Sequence, residues 1–354
     1  MRRGLHLLAW LAAATPVLCA QEQGAAVAEM PAPKHEEHEA LQALVGNWQT
    51  VMKMEAMPGV PGMEEATETK GIERTELVCD GLWLKSVMSS IHNGEPCEGL
   101  WMCGYDPHRK QYVCLCVSSD EQETGASLMN GSYDRDSKTW TFSGTTPFGE
   151  MRSTMAFESA DRSVEIGYLK TSDGKETKFM EITRSRTREP IAVEAGARGA
   201  KELPPELQLL HRDVGEWRAT VTVPAPGQEP TEAVGSERVT PICQGRWLWT
   251  DFQAQFGGMP FEGHGLVGYD TKAERYVSYW IDTTSPTLMQ TSGTFDPAKK
   301  AYTLTGTAVG PTGQPMTVDE VLTWKDADTR LLRMQFKMPE QTTEMKITYE
   351  RKKD

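Results

Sequence analysis

The chain has 354 residues, 38% of them hydrophobic and 25% charged, enough for two or three domains that each bury a core. Its formal net charge is −13. That acidity excludes nucleic acid and anionic membrane surfaces as expected partners, because both reward clustered lysine and arginine and the sequence offers no such cluster.

At the N-terminus, Arg2-Arg3 precede an apolar run from Leu5 to Leu18, and Cys19-Ala20 offer a cleavage site before Gln21. Residues 1–20 therefore read as a cleaved signal peptide, too short to span a bilayer. The expectation is an exported protein, periplasmic or secreted, with no transmembrane segment after processing. Residues 21–36 are rich in Ala, Glu and Pro and read as a flexible leader.

His35 to Val45 places acidic residues early and apolar ones at Leu41, Leu44 and Val45, which predicts a short amphipathic helix. It runs into Gly46-Asn47-Trp48. Pro205 to Val214 repeats the helical pattern and runs into Gly215-Glu216-Trp217, with proline at the helix start, where its missing N–H costs nothing. After each Gly-x-Trp the periodicity changes to two. Thr139 to Ser143, Ala301 to Thr305 and Glu344 to Tyr349 alternate polar and apolar residues, as half-buried strands do. Turn signals such as Asn93-Gly94, Asn130-Gly131, Asp173-Gly174 and Asp296-Pro297 punctuate the strands.

The chain is a duplication. Cys79-Asp-Gly-Leu-Trp-Leu84 returns as Cys243-Gln-Gly-Arg-Trp-Leu248, Gly104-Tyr-Asp106 as Gly268-Tyr-Asp270, and Tyr112-Val113 as Tyr276-Val277. All three repeat at the offset that separates Cys79 from Cys243, so each unit is read as a domain. The predicted fold is all-β: two tandem antiparallel lipocalin-like barrels of about nine or ten strands, each preceded by a short helix, closed so that no edge is exposed. The domains are expected at 37–188 and 204–354, joined by a linker at 189–203.

Six cysteines remain after signal removal, and four of them (Cys97, Cys103, Cys114 and Cys116) become Phe261, Val267, Ser278 and Trp280 in the second copy. Replacement mostly by apolar residues points to buried strand positions. Export permits disulfides, and Cys103 with Cys114, across a hairpin turning at Pro107 to Lys110, is the best-placed pair.

A helix leading into Gly-x-Trp, an antiparallel barrel and an arginine at the end of the last strand resemble the lipocalin and fatty-acid-binding superfamily. The resemblance implies a Trp plugging one end of each barrel with an arginine packed across its ring: Trp48 with Arg186, and Trp217 with Arg351. More specifically, Gly-x-Trp, Gly-x-Trp-Leu, Gly-Tyr-Asp and the Met-x-Ile-Thr of the closing strands, ordered alike in both copies, resemble the bacterial domain-of-unknown-function family numbered 1579. That resemblance implies a fold and an exported setting and brings no catalytic residues.

No catalytic residue, cofactor or metal site is assigned. The sequence has no Gly-x-Ser-x-Gly elbow, no His-Glu-x-x-His helix, no phosphate-binding glycine loop and no Cys-x-x-Cys. A haem barrel would need an inward axial histidine; His92 and His264 are the candidates, with a surface or satisfied-core role the plainer reading. Met52, Met54, Met57 and Met63 carry ligand atoms suited to Cu(I), but an apolar lip is the plainer account. The acidic pairs Glu64-Glu65 and Asp319-Glu320 read as solvated strands and loops, so no general acid or base is named.

Aromatic residues near the repeated turns are the candidate ligand-binding set: Trp83, Trp101 and Tyr105 in the first copy, and Trp247, Tyr269, Tyr279 and Trp280 in the second. The expected function is non-catalytic binding of a small apolar or amphipathic ligand in one or both barrels. A structural scaffold of the cell envelope without a small-molecule ligand is the alternative, and a hydrolase or isomerase at a barrel mouth a third. The sequence names no protein partner.

Overall fold

In the computed structural model, residues 32–60, 63–92, 94–119, 125–146, 149–170, 174–189, 203–223, 230–310, 313–339 and 341–353 are described. The expected signal peptide, residues 21–31 of the expected leader and residues 190–202 of the expected linker lie outside them.

The first barrel comprises β1 (Gly46–Met54), β2 (Thr67–Val78), β3 (Trp83–His92), β4 (Glu95–Asp106), β5 (Gln111–Ser118), β6 (Ser127–Asp134), β7 (Thr139–Thr146), β8 (Gly149–Ser159), β9 (Arg162–Lys170) and β10 (Glu176–Thr187). The second comprises β11 (Gly215–Val223), β12 (Thr231–Ile242), β13 (Trp247–Phe256), β14 (Met259–Asp270), β15 (Arg275–Asp282), β16 (Ser285–Asp296), β17 (Ala301–Val309), β18 (Pro315–Trp324), β19 (Thr329–Met338) and β20 (Gln341–Arg351). Each barrel is a meander of neighbouring antiparallel strands. It closes by pairing first strand with last, β1 with β10 and β11 with β20. Closure pairs the edges that an open sheet would expose.

Two helices precede the barrels, α1 (Glu36–Leu41) and α2 (Pro205–Leu210). Both are shorter than the amphipathic pattern predicts, because a 3-10 turn takes over at Gln42–Leu44 and at His211–Asp213. The tighter turn sets carbonyls where the barrel can use them. Trp48 Nε1 donates to the Leu44 carbonyl at 3.0 Å, and Trp217 Nε1 to the Asp213 carbonyl at 2.9 Å. Arg351 donates to the carbonyls of Val214 (2.7 Å) and Arg212 (2.8 Å), and Arg186 to those of Val45 and Ala43. Carbonyls that a helix end leaves unpaired are thereby satisfied.

The same arginines lie over the tryptophan rings, Arg186 at 4.0 Å from the Trp48 centroid and Arg351 at 4.0 Å from that of Trp217. The glycine of Gly-x-Trp follows from this packing. Gly215 has φ of +134°, and a Cβ there would stand 2.6 Å from Arg351 Nη1. Gly104 of Gly-Tyr-Asp has a related cause: a Cβ would meet the Trp83 ring at 2.6 Å. The Asp of that motif caps its turn, with Asp106 Oδ1 accepting from the amides of His108 (2.9 Å) and Arg109 (3.1 Å).

Tyr112 and Tyr276 tie the helices down, their hydroxyls donating to the carbonyls of Glu37 (2.8 Å) and Glu206 (3.3 Å). Below α1 the first interior holds Leu41, Leu84, Met129, Trp140, Phe142 and Met155. Met57 and Met63 pack with Leu169 and Phe179, away from that cluster. Among the described residues no helix is long and apolar enough to cross a membrane.

Candidate functional site

Inside the second barrel lies a cavity of about 190 Å³. Its origin is visible by comparing the two copies position by position. Trp101 of β4 stands opposite Ser86 and Cys116, whereas its counterpart Gly265 of β14 stands opposite Thr250 and Trp280. In the first barrel the Trp101 indole reaches inward and donates to Glu73 Oε1 at 3.2 Å. The second barrel has no side chain at that place, and Gly265, Thr250 and Trp280 all face the cavity.

The upper wall is apolar and aromatic, with Phe252, Phe261, Met289, Met316 and Phe336. Trp280 belongs to it, its Nε1 donating to Asp282 Oδ2 at 2.9 Å. Asp282 also accepts from the Thr284 amide (2.7 Å) and hydroxyl (2.5 Å), and burial pushes its carboxyl upward.

The floor is a buried ionic cluster. Arg330 of β19 bonds Asp213 Oδ1 at 2.5 Å and Glu237 Oε1, while its guanidinium carbon lies 4.3 Å from the Trp217 centroid and 4.5 Å from that of Tyr349. Burial works against the charge of Arg330, but Glu237 and Asp213 outweigh it and keep the guanidinium firmly protonated. Burial raises both carboxyls, and the shared arginine pulls each back only in part. The first barrel balances its charges differently. There Arg184 of β10 is the cation, bonded to Glu73 at 2.8 Å and Glu165 at 2.9 Å. Burial pushes Glu73 up, yet the Arg184 charge and hydrogen bonds from Arg184, Ser86 and Trp101 hold it below its ordinary value.

Midway up the cavity, Glu320 of β18 pairs across the sheet with Leu304 and Met334. It is 8% exposed. Among the described residues no cation stands beside it; the Thr291 hydroxyl is its polar neighbour, and burial raises its carboxyl to about 7. This overturns the reading of Asp319-Glu320 as a solvated pair. Asp319 does face water, where it bonds Lys337, but Glu320 points inward. The signal lay in the strand itself, since Glu320 falls in phase with Met316, Val318, Leu322 and Trp324, and alternate strand residues share a face.

The other candidate residues take different places. Trp280 lines the cavity. Tyr269 sits near the helix end against Tyr276 (5.0 Å between centroids), and Tyr105 likewise against Tyr112 (5.2 Å). Trp83, Trp247 and Tyr279 alternate with inward residues and so occupy outer faces of their barrels, yet all three are buried. His264 is also on an outer face, alternating with inward Gly265; it bonds Asp251 (2.9 Å) and Glu262 (2.8 Å) and stacks on Trp249. Burial lowers its affinity for a proton, but the two carboxylates outweigh this and raise its pKa. It is a satisfied histidine, as its plainer reading held, and not an axial ligand. Cys103 and Cys114 are direct cross-strand partners, and both are buried. Burial and the neighbouring thiol push Cys114 well above its ordinary value.

No curated protein matches the chain. Among solved structures, Rv2717c from M. tuberculosis aligns at 15% identity and a TM-score of 0.36, covering 43% of this chain and 100% of its own. The S-type phycobiliprotein lyase CPES from Guillardia theta aligns at 12% identity and 0.32, covering 42% and 92%. A protein of the DUF3598 family from Nostoc punctiforme aligns at 12% and 0.25, covering 90% and 100%. The family model described as "Protein of unknown function (DUF1579)" matches residues 33–186 and again 203–351. The chain belongs to the DUF1579 family, which it contains in two tandem copies, one for each barrel.

Proposed function

We propose that the protein is an exported, non-catalytic binding protein whose second barrel holds a small amphipathic ligand. One observation carries this reading: an aromatic-walled cavity of about 190 Å³ with a buried carboxyl, Glu320, set into its middle without a cation. Apolar walls with a few placed polar groups are the usual composition of a small-ligand site. A cavity of about 150 Å³ accommodates benzene, so this one suits a ligand on the order of ten non-hydrogen atoms. The first barrel, with Trp101 in place of Gly265, is assigned the supporting part. Export rests on the N-terminal sequence.

Native mass spectrometry of the full protein, purified gently from its own host, tests the proposal. A discrete mass above the bare chain, lost on denaturation and lost in an Ala308→Phe variant that fills the cavity, is the expected result. A bare mass from host-purified protein, together with no thermal stabilisation by any small amphiphile, would overturn it.

A further inference from the structure

The residues lining the cavity bring together four carboxyls, Asp213, Glu237, Asp282 and Glu320, and a single guanidinium, Arg330. Arg330 is committed to Asp213 and Glu237. Asp282 is occupied by hydrogen bonds from Trp280 and Thr284. Glu320 alone of the four has neither a cation nor a backbone donor, though it is more than nine-tenths buried and faces the cavity. The first barrel provides an internal comparison. By sheet register Glu320 (opposite Met334) corresponds to Ser153 (opposite Gly167), and the interior carboxyls there, Glu73 and Glu165, both bond Arg184. A buried carboxyl without a counter-charge is costly, and the second copy carries one where the first carries serine.

Resting on the binding reading above, we infer that the ligand of the second barrel is a small ammonium-bearing amphiphile, with its cationic head against Glu320 and its apolar body among Phe252, Phe261, Trp280 and Phe336. The ligand supplies the positive charge that the interior lacks. An aromatic body suits these walls, and an ammonium bonded to the Glu320 carboxylate gains a charge-assisted contact in a water-poor site. Recognition is then linked to protons. Below about 7 the empty site holds a protonated Glu320, so binding an ammonium expels that proton. The titratable and charged groups facing Glu320 from the surrounding elements are Tyr276, Tyr302, Arg330, Tyr349, Glu237, Asp213 and Asp282. Burial raises Tyr276, Tyr302 and Tyr349, which stay neutral across this range, and the other four are partnered as described.

Isothermal titration of the full-length protein with phenethylamine, phenethyl alcohol and phenylacetate tests the inference. At pH 8 the amine should bind at least tenfold tighter than the alcohol, with the acid weakest. At pH 6, titration in buffers of different ionisation heat should show proton release on amine binding. Glu320→Gln should weaken the amine at least tenfold, change the alcohol far less and abolish the proton release. Glu320→Ser, which installs the residue of the first barrel, is the second variant if the first folds poorly. Equal binding of amine and alcohol, or an amine affinity untouched by both variants, overturns the ammonium assignment while leaving a binding module. Binding of none of the three compounds overturns both.

Discussion

Arg330 lies 4.3 Å from the centre of the Trp217 ring, and Arg351 lies 4.0 Å from the same centre. Two guanidiniums so close to one ring fit only on its two faces, so the indole separates a buried arginine from a half-exposed one. The inner arginine holds two buried carboxylates, and its removal strands both. Arg330→Leu is expected to destabilise the second barrel by about 3–5 kcal/mol, measured as the shift in its urea unfolding midpoint. A shift below a fifth of that would show that the cluster is not a structural centre.

The outer arginine makes a separable contribution. Arg351→Ala should cost about 0.5–2 kcal/mol for the lost contact with Trp217. Gly215→Ala should cost about 1–3 kcal/mol, because its φ of +134° is strained for alanine and the added Cβ meets Arg351. Part of that cost is the collision, so the double variant should lose less than the two single losses together. A double-mutant cycle in urea reads the difference.

Stability should depend on pH through Glu320. The native carboxyl, raised to about 7 from an ordinary 4.5, holds a proton that the unfolded chain has already released. Its contribution is therefore present below 4.5 and is lost as the pH rises through 7, amounting to about 3 kcal/mol at 1.36 kcal/mol per unit. Glu320→Gln should remove this slope, so that the variant gains on the parent protein between pH 5 and 8. Parallel unfolding free energies of parent and variant across that window would refute it.

Cys114, buried and pushed well above the ordinary thiol range, should resist alkylation in the native protein. Iodoacetamide at pH 8, followed by peptide mapping, should modify it only after unfolding. Rapid modification of Cys114 in the folded chain would contradict its burial. A Cys103–Cys114 bridge in host-purified protein would instead leave both unmodified even after unfolding, until a reductant is added.

The fold was legible because it is written twice. A constant offset between Cys79 and Cys243, with period-two strands on either side, leaves two like all-β units as the economical reading. The cavity was harder to see, because its floor joins residues far apart in the chain: Asp213, Glu237 and Arg330 meet only when the barrel closes. Arg330 and Arg333 look alike in the sequence, and only the phase of β19 turns the first inward. Glu320 was masked by its exposed neighbour Asp319, although its phase with Met316 and Val318 marked it as interior. The exchange of Trp101 for Gly265 was also present, as an alignment mismatch whose meaning needed a barrel interior.

The placement of the interior cation on β10 in one copy and on β19 in the other has a consequence for assembly. Tandem copies of one fold are liable to trade strands while they fold. Were β10 to close the second barrel in place of β20, Arg184 would occupy the position of Tyr349, which stands directly opposite Arg330. Two guanidiniums would then face each other in a dry interior. Were β20 to close the first barrel, Glu73 and Glu165 would lose their only arginine partner among the described residues and gain a phenol. Each half of the chain thus carries its own key, and the copies remain alike in shape without being interchangeable.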